Sequence, residues 1–114
     1  MSDCLFCKIA KGEIPAKVVH QTDDLLAFED IAPQAPTHVL IIPRQHIATV
    51  NDLEEESAGL VGELFLAAKA IAAERGHEEG GYRLVMNCGE GAGQSVFHLH
   101  LHLLAGRALQ WPPG

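Results

Sequence analysis

Residues 94–104 read QSVFHLHLHLL, an apolar stretch in which His98, His100 and His102 occupy alternate positions. Side chains alternate between the two faces of a β-strand, so the three imidazoles share one face and the intervening leucines share the other. Successive imidazoles on one face are about 7 Å apart. The stretch therefore predicts a strand that packs its leucines beneath a helix and presents a row of histidines on the opposite face.

The remaining sequence predicts the elements around this strand. Apolar and β-branched segments predict strands at 18–21, 25–29, 38–43 and 82–87, and helical signals predict a short helix at 5–11 and a long helix at 53–75. Asp52 and Glu55 have the spacing of a capping box at the start of the long helix, and Gly76 is positioned to end it. The order of elements predicts an α+β fold with a five-stranded antiparallel sheet, one long helix and one short helix.

The length and the charge of the chain limit its class. A chain of 114 residues fits one domain, so residues 1–114 are assigned to a single domain. The formal net charge of −7 repels polyanions, so neither nucleic acid nor an anionic membrane surface is an expected partner. No apolar run approaches the roughly 20 residues that span a bilayer, and the first residues lack the features of a secretory signal. These features favour a cytoplasmic location.

Three roles are open to the histidine row. The imidazoles could form hydrogen bonds on a solvated sheet face, could bind a metal ion, or could act in catalysis as nucleophile and proton donor near neutral pH. The preceding loop, GEGAGQS at 89–95, favours a site that handles phosphate. Its glycines let a ligand approach the backbone closely, and Gln94 and Ser95 add side-chain donors.

The stretch HLHLHLL at 98–104 matches the motif His-φ-His-φ-His-φ-φ, in which φ is apolar, and through this motif the sequence resembles the histidine triad (HIT) family. Within that family the chain looks most like the nucleotide-binding HINT branch, of the bacterial type with an N-terminal C-x-x-C pair. The segments that carry this likeness are DIAPQAPTHVLIIP (30–43), GYRLVMN (81–87), GQSVFHLHLHLLAGR (93–107) and the closing WPPG. The resemblance covers nearly the whole chain and implies the HIT-like fold.

The resemblance implies a purine nucleoside phosphoramidate hydrolase, which cleaves the phosphorus–nitrogen bond of an adenosine monophosphate amide. It implies that His100 is the nucleophile and is transiently nucleotidylated, and that His102, or a water that it orients, gives a proton to the departing amine. His38 would orient the histidine cluster, of which His98 is also a member. No cofactor is implied for this chemistry, and the expected ligands are purine nucleoside monophosphates and phosphoramidates.

The same resemblance implies the residues that bind the substrate. Asp30 is expected at the ribose hydroxyls and Asn87 beside the phosphate or ribose. From the residues alone, Asp30 is equally compatible with a turn-capping role, and His38 with that of a buried, hydrogen-bonded histidine. The phosphate would be held by Gly93, Gln94 and Ser95, and the base by Ile31 and Leu40.

Cys4 and Cys7 form a C-x-x-C pair, which in a cytoplasmic protein indicates metal or redox chemistry rather than a structural disulfide. A structural zinc ion needs four ligands, and His46 with one histidine of the row could complete the set. By resemblance to family members with this N-terminal pair, the set is Cys4, Cys7, His46 and His98, and it is separable from catalysis. The alternative is a pair of semi-buried thiols beside a surface imidazole at His46.

Two other functions remain compatible with the sequence: a dinucleotide polyphosphate hydrolase or nucleotidyl transferase of a sister branch, and a nucleotide-binding regulatory module. The resemblance also implies a homodimer in which two sheets join into one ten-stranded layer. In that dimer the C-terminal tail of one subunit would reach the active site of the other. Trp111, in a proline-rich tail with no local core to bury it, agrees with that arrangement.

Overall fold

Five short strands form one antiparallel sheet in the computed structural model, which describes residues 3–114. A short helix precedes the sheet in the chain, and a long helix connects the third strand to the fourth. The predicted α+β fold, its five-stranded antiparallel sheet and its long and short helices are confirmed. The elements are α1 (Leu5–Ala10), β1 (Val18–Gln21), β2 (Leu25–Glu29), β3 (Thr37–Pro43), α2 (Ala58–Glu74), β4 (Tyr82–Val85) and β5 (Leu101–Ala105), and the strands run in space in the order β1-β2-β3-β5-β4.

The leucines of the histidine motif face α2, as predicted. Leu99, Leu101 and Leu103 are buried and pack with Leu64 and Ile71 of that helix in the larger apolar cluster of the protein. Burying each of these leucines contributes roughly 1.5–3 kcal/mol, so the register of β5 is strongly fixed by this face. The histidines are thereby directed to the other side of the sheet.

A smaller apolar cluster covers that other side. Phe6 of α1 packs there with Leu26, Phe28, Leu40 and Ile42 of strands β2 and β3. The rings of Phe6 and Phe28 meet edge to face, with their centroids 5.5 Å apart. The short helix α1 is therefore docked on the sheet face that carries the imidazoles.

The strand of the histidine motif is shorter than predicted. It begins at Leu101, which pairs with Ile41 of β3, and residues 94–100 precede the ladder. The reason lies in the end of the partner strand. Pro43 has no N–H to donate, and its carbonyl oxygen is 2.7 Å from Nε2 of His98, so a side chain takes the place of the next ladder bond.

The long helix begins at Ala58 rather than at residue 53. The predicted capping box of Asp52 and Glu55 is wrong, because the Asp52 carboxylate instead accepts from the N–H and the hydroxyl of Thr49, at 3.0 and 2.8 Å. This pair caps a 3-10 turn at Val50–Asp52, and a second turn at Glu55–Ser57 leads into the helix. No helix within residues 3–114 has the length and apolar character needed to cross a bilayer.

Candidate active site

Hydrogen bonds to backbone carbonyls determine which ring nitrogen carries the proton in His98 and in His100. Nε2 of His98 lies 2.7 Å from the carbonyl oxygen of Pro43, and Nδ1 of His100 lies 2.7 Å from the carbonyl oxygen of His98. A carbonyl oxygen can only accept, so both ring nitrogens donate. Neutral His98 therefore keeps a lone pair on Nδ1, and neutral His100 keeps a lone pair on Nε2.

His38 links the histidine row to the loop that follows β2. The backbone N–H of Gln34 donates to Nδ1 of His38 at 3.0 Å, so neutral His38 carries its proton on Nε2. That nitrogen is 2.9 Å from Nδ1 of His102 and 3.4 Å from a carboxylate oxygen of Asp30. His38 thus donates to His102, and neutral His102 carries its own proton on Nε2. The predicted orienting contact between His38 and the histidine row is present.

Burial favours the neutral form of three of these imidazoles. It is the largest cause lowering the pKa of His38, His98 and His102. For His102 the pKa falls to about 4, because the neighbouring His100 and His38 reinforce the effect of burial more than the Asp30 carboxylate opposes it. At neutral pH His102 is therefore an uncharged hydrogen-bond donor, and its ring centroid lies 5.0 Å from that of His100.

We expect the free energy of unfolding to fall as the pH decreases from about 6.5 to about 4. The pKa of His102 is about 4 in the folded protein and about 6.5 in an unfolded chain. Between these values the unfolded chain binds more protons, so acidification favours unfolding. The stabilisation is complete above pH 6.5 and is lost as the pH falls through 4, and it corresponds to roughly 3 kcal/mol. Urea unfolding at pH 7 and pH 4.5 measures the difference.

The control for this prediction is a His102→Gln variant, in which the pH dependence over the same window should become shallower. The pKa values of His38 and His98 are lowered as well, so part of the slope should persist. An NMR titration assigned to His102 with a midpoint near pH 6.5 would contradict the prediction.

His100 and His102 line a cavity of about 730 Å³, a volume within the usual range for small-molecule sites. Four of the predicted binding residues contribute to its wall: Asp30, Ile31, Leu40 and Ser95. The side chain of Ile31 is fully exposed, which leaves it available to a ligand. Asp30 also caps its own loop, because its Oδ1 accepts from the N–H of Ala32 at 2.8 Å. Asp30 therefore caps its turn and also lies at the cavity.

Helix α1 supplies a wall of the cavity that the sequence-based prediction did not include. Leu5, Phe6 and Ile9 line the cavity, and the ring of Phe6 meets that of His100 edge to face with centroids 5.1 Å apart. The sequence LFCKIA could have predicted this wall, because its apolar residues at positions i, i+1 and i+4 share one helical face. Phe28 and Lys17 also line the cavity and were not predicted.

Gln94 forms hydrogen bonds within the glycine loop and does not line the cavity. Its side-chain oxygen accepts from the N–H of Gly89 at 2.8 Å, and its amide nitrogen donates to the carbonyls of Ala48 and Val96 at 2.8 and 3.2 Å. The side chain is buried, and both of its amide hydrogens have acceptors. In this structure the Gln94 side chain joins the glycine loop to Ala48 and Val96, and its contact with phosphate stays a prediction.

Three further predicted binding residues are not part of the cavity wall: Gly93, Asn87 and Trp111. Gly93 ends a 3-10 turn with φ of 96°, a left-handed conformation that favours glycine. A Cβ atom at Gly93 would lie 3.9 Å from the amide nitrogen of Asn87, so these two residues are neighbours. Trp111 is 82% exposed, and Arg83 of β4 donates to the carbonyl of the preceding Gln110 at 3.0 Å.

The four predicted metal ligands converge on one point. The ligand atoms of Cys4, Cys7, His46 and His98 all lie within 4.8 Å of one another. Nδ1 of His98 is 3.3 Å from the Cys4 sulfur, 3.5 Å from the Cys7 sulfur and 3.3 Å from Nδ1 of His46. This nitrogen has the lone pair that a ligand needs, because the proton of His98 is on Nε2. Two sulfurs and two imidazole nitrogens form a donor set that fits tetrahedral zinc.

Comparison with known proteins gives consistent matches over almost the whole chain. Residues 3–110 match the protein-family model described as scavenger mRNA decapping enzyme C-term binding. An uncharacterized HIT-like protein of Synechococcus elongatus is 54% identical over 112 residues, which are 98% of this chain and 97% of that relative. The crystal structure of a HIT family hydrolase from Legionella pneumophila Philadelphia 1 has a TM-score of 0.97 at 56% identity, covering 98% of this chain and 100% of that chain.

A histidine triad protein from Clostridium difficile gives a TM-score of 0.93 at 42% identity, with 96% of both chains covered. The fold and the site together define an α+β protein whose central strands carry a hydrogen-bonded histidine cluster at an open cavity. The chain belongs to the histidine triad (HIT) family. The family predicted from residues 98–104 is thus confirmed.

Proposed function

We propose that the protein is a hydrolase of purine nucleoside phosphoramidates, of the HINT-like branch, releasing a nucleoside monophosphate and an amine. The observation that supports this most directly is the state of His100. Its Nδ1 donates to the carbonyl of His98, its Nε2 keeps a lone pair, and its ring lines the cavity beside His102. An imidazole with one nitrogen anchored and the other unprotonated is a competent nucleophile at neutral pH.

In the first step, Nε2 of His100 attacks phosphorus in line with the phosphorus–nitrogen bond, which breaks as the amine takes up a proton. The ring becomes positively charged, and its Nδ1–H still donates to the carbonyl of His98, which stabilises that charge. With a second proton taken up from solvent, His102 gives the proton on its Nε2 to the amine, directly or through a water that it orients, and returns to its neutral form. An anionic phosphate in the cavity would raise the pKa of His102, which favours this proton transfer.

In the second step, water attacks the phosphorus of the His100 adduct and gives a proton to neutral His102, while the nucleoside monophosphate leaves and neutral His100 is restored. His38 supports both steps, because its Nε2–H holds His102 in one tautomer. Ser95 and the backbone beside Gly93 are the proposed donors to phosphate, and Asp30 and Asn87 the proposed partners of the ribose. The base would lie among the apolar cavity residues Ile31, Leu40, Phe6 and Phe28.

We also propose that Cys4, Cys7, His46 and His98 hold a structural zinc ion. An ion held by these four residues would take no part in the reaction and would stabilise the packing of Cys4 and Cys7 against His46 and His98. Burial raises the pKa of the Cys4 thiol, so its thiolate form needs an adjacent cation. The cytoplasm, where we place the protein, keeps such thiols reduced.

A homodimer is the proposed assembly, with two sheets joined into one ten-stranded layer and Trp111 of each subunit at the partner's cavity. Three features support it: β4 is an edge strand of the sheet, Trp111 is 82% exposed, and Phe65 and Leu66 of α2 are exposed apolar residues. We expect sedimentation at micromolar concentration to give twice the chain mass of 12.3 kDa. A monomer at that concentration would contradict the arrangement.

The substrate class is tested by comparing kcat/KM for adenosine 5′-phosphoramidate with that for diadenosine tetraphosphate. We expect the phosphoramidate to be the better substrate, with the release of adenosine monophosphate. A preference for the polyphosphate would instead place the enzyme in the sister branch. Tight binding of adenosine monophosphate with turnover of neither compound would indicate a regulatory module.

A further inference from the structure

Helix α1 belongs to two sites at once. Cys4 caps its N-terminus and Cys7 lies within it, and both sulfurs are in the metal cluster. Leu5, Phe6 and Ile9 of the same helix line the cavity that holds His100 and His102. Any shift of α1 relative to the sheet therefore alters both sites together.

His98 forms a second connection between the two sites. Its side chain offers Nδ1 to the metal cluster, while its backbone carbonyl accepts from Nδ1 of His100. The ring of Phe6 contacts both imidazoles edge to face, with centroid distances of 6.0 Å to His98 and 5.1 Å to His100. One aromatic side chain thus lies against a metal-cluster imidazole and against the imidazole of the proposed nucleophile.

The position of α1 depends on its contacts, because a helix of six residues is too short to be stable by itself. Apolar packing of Phe6 in the smaller cluster supplies part of that support. The other part comes from its two thiols, which are close to His46 and His98. Four donor groups this close repel one another when they are all deprotonated, and a shared cation converts that repulsion into attraction.

We propose that metal binding at the Cys4/Cys7/His46/His98 cluster and nucleotide binding in the cavity are thermodynamically coupled through α1 and the ring of Phe6. Occupation of the cluster fixes the wall of the cavity and the carbonyl that orients His100, so each ligand raises the affinity for the other. This inference rests on the proposed function for its nucleotide. Cys4, Cys7 and Phe6 are positioning residues in this scheme and take no part in bond making.

Coupling of this kind is reciprocal, so it can be measured from the affinity for the nucleotide and from the affinity for the metal. Calorimetry gives the Kd of adenosine monophosphate for the zinc-loaded protein and for protein freed of metal by a chelator. Competition with a chromophoric chelator gives the Kd of zinc with and without saturating adenosine monophosphate. We expect both affinities to change by the same factor, roughly tenfold. A structural zinc that merely stabilises the fold would leave the two affinities independent.

A Phe6→Leu variant tests the proposed route. Leucine keeps an apolar cavity wall and all four metal ligands, but it loses the ring contacts with His98 and His100. We expect the coupling factor to fall clearly below the wild-type value, whatever happens to the two affinities themselves. Ile9→Val is the matched control, because Ile9 is on the same helix and lines the same cavity without belonging to the metal cluster. Its coupling factor should stay at the wild-type value.

Cobalt(II) provides a measurement that does not require a folded metal-free protein. In the cobalt-loaded wild type, adenosine monophosphate should shift the thiolate-to-cobalt absorption band, and in cobalt-loaded Phe6→Leu the shift should be smaller. Equal nucleotide affinity with and without metal, or a band that does not respond to nucleotide, would overturn the coupling while leaving the hydrolase intact. Absence of nucleotide binding in every form would overturn the proposed function and the coupling together.

Discussion

Replacing His100 with alanine is expected to abolish turnover of a nucleoside phosphoramidate and to remove the covalent nucleotide adduct. Loss of a nucleophile costs on the order of 10⁶-fold in kcat where the covalent route is the main one, so a fall of at least about 10⁴-fold is expected. The Nε2 lone pair of His100 has no substitute at the same place, because Nδ1 of His102 accepts from His38. Acid quenching followed by intact-mass spectrometry detects the adduct, and initial rates give kcat.

The controls for this prediction separate chemistry from binding. His20 lies exposed on β1 and does not line the cavity, so His20→Ala should keep the wild-type rate. Adenosine monophosphate should still bind to His100→Ala protein, because the remaining cavity walls are unchanged. An adduct that persists in the His100→Ala protein would mean that another residue attacks phosphorus, and an unchanged kcat would exclude a covalent route through His100.

The alternation of residues 98–103 was sufficient to predict which face of the sheet each side chain occupies. Leu99 and His98 keep their predicted sides even though both precede β5, because the apolar core fixes the leucines. The bounds of the elements were less predictable. The late start of β5 depends on the Pro43 carbonyl accepting from His98, and the late start of α2 depends on the use of Asp52 by Thr49. Both are contacts that spacing alone does not specify.

In the site, the motif predicted which residues come together, whereas other features depend on contacts with residues distant in the chain. The family motif identified the histidines, and their convergence with His38 and Asp30 is seen in the fold. The tautomers could not be predicted, since they depend on the carbonyls of Pro43 and His98 and on the N–H of Gln34. Gln94 was assigned to phosphate because it follows a glycine loop. Its acceptor at Ala48 is 46 positions away in the chain, and only the fold brings the two together.

A Cys7→Ser variant is expected to lose the bound zinc and to unfold at a markedly lower temperature. Serine has no thiolate, so the four-donor set loses one of its two sulfurs. A ligand present at about a thousand times its Kd stabilises the folded state by roughly 4 kcal/mol. For a chain of this length that corresponds to a fall in Tm on the order of 10–20 °C. Elemental analysis should give near one zinc per wild-type chain and almost none in the variant.

Two comparisons separate the effect of zinc from that of the side chain itself. Cys88→Ser removes a thiol that is outside the metal cluster, so its zinc content and Tm should stay close to those of the wild type. Chelator-treated wild-type protein should lose most of the same interval in Tm, because it lacks the same ion, and should unfold somewhat above Cys7→Ser. Cys7 is buried, so serine alone carries a cost of about 1–3 kcal/mol for an imperfectly paired hydroxyl. If chelation leaves the wild-type Tm unchanged, that side-chain cost explains the variant and the ion does not stabilise the fold.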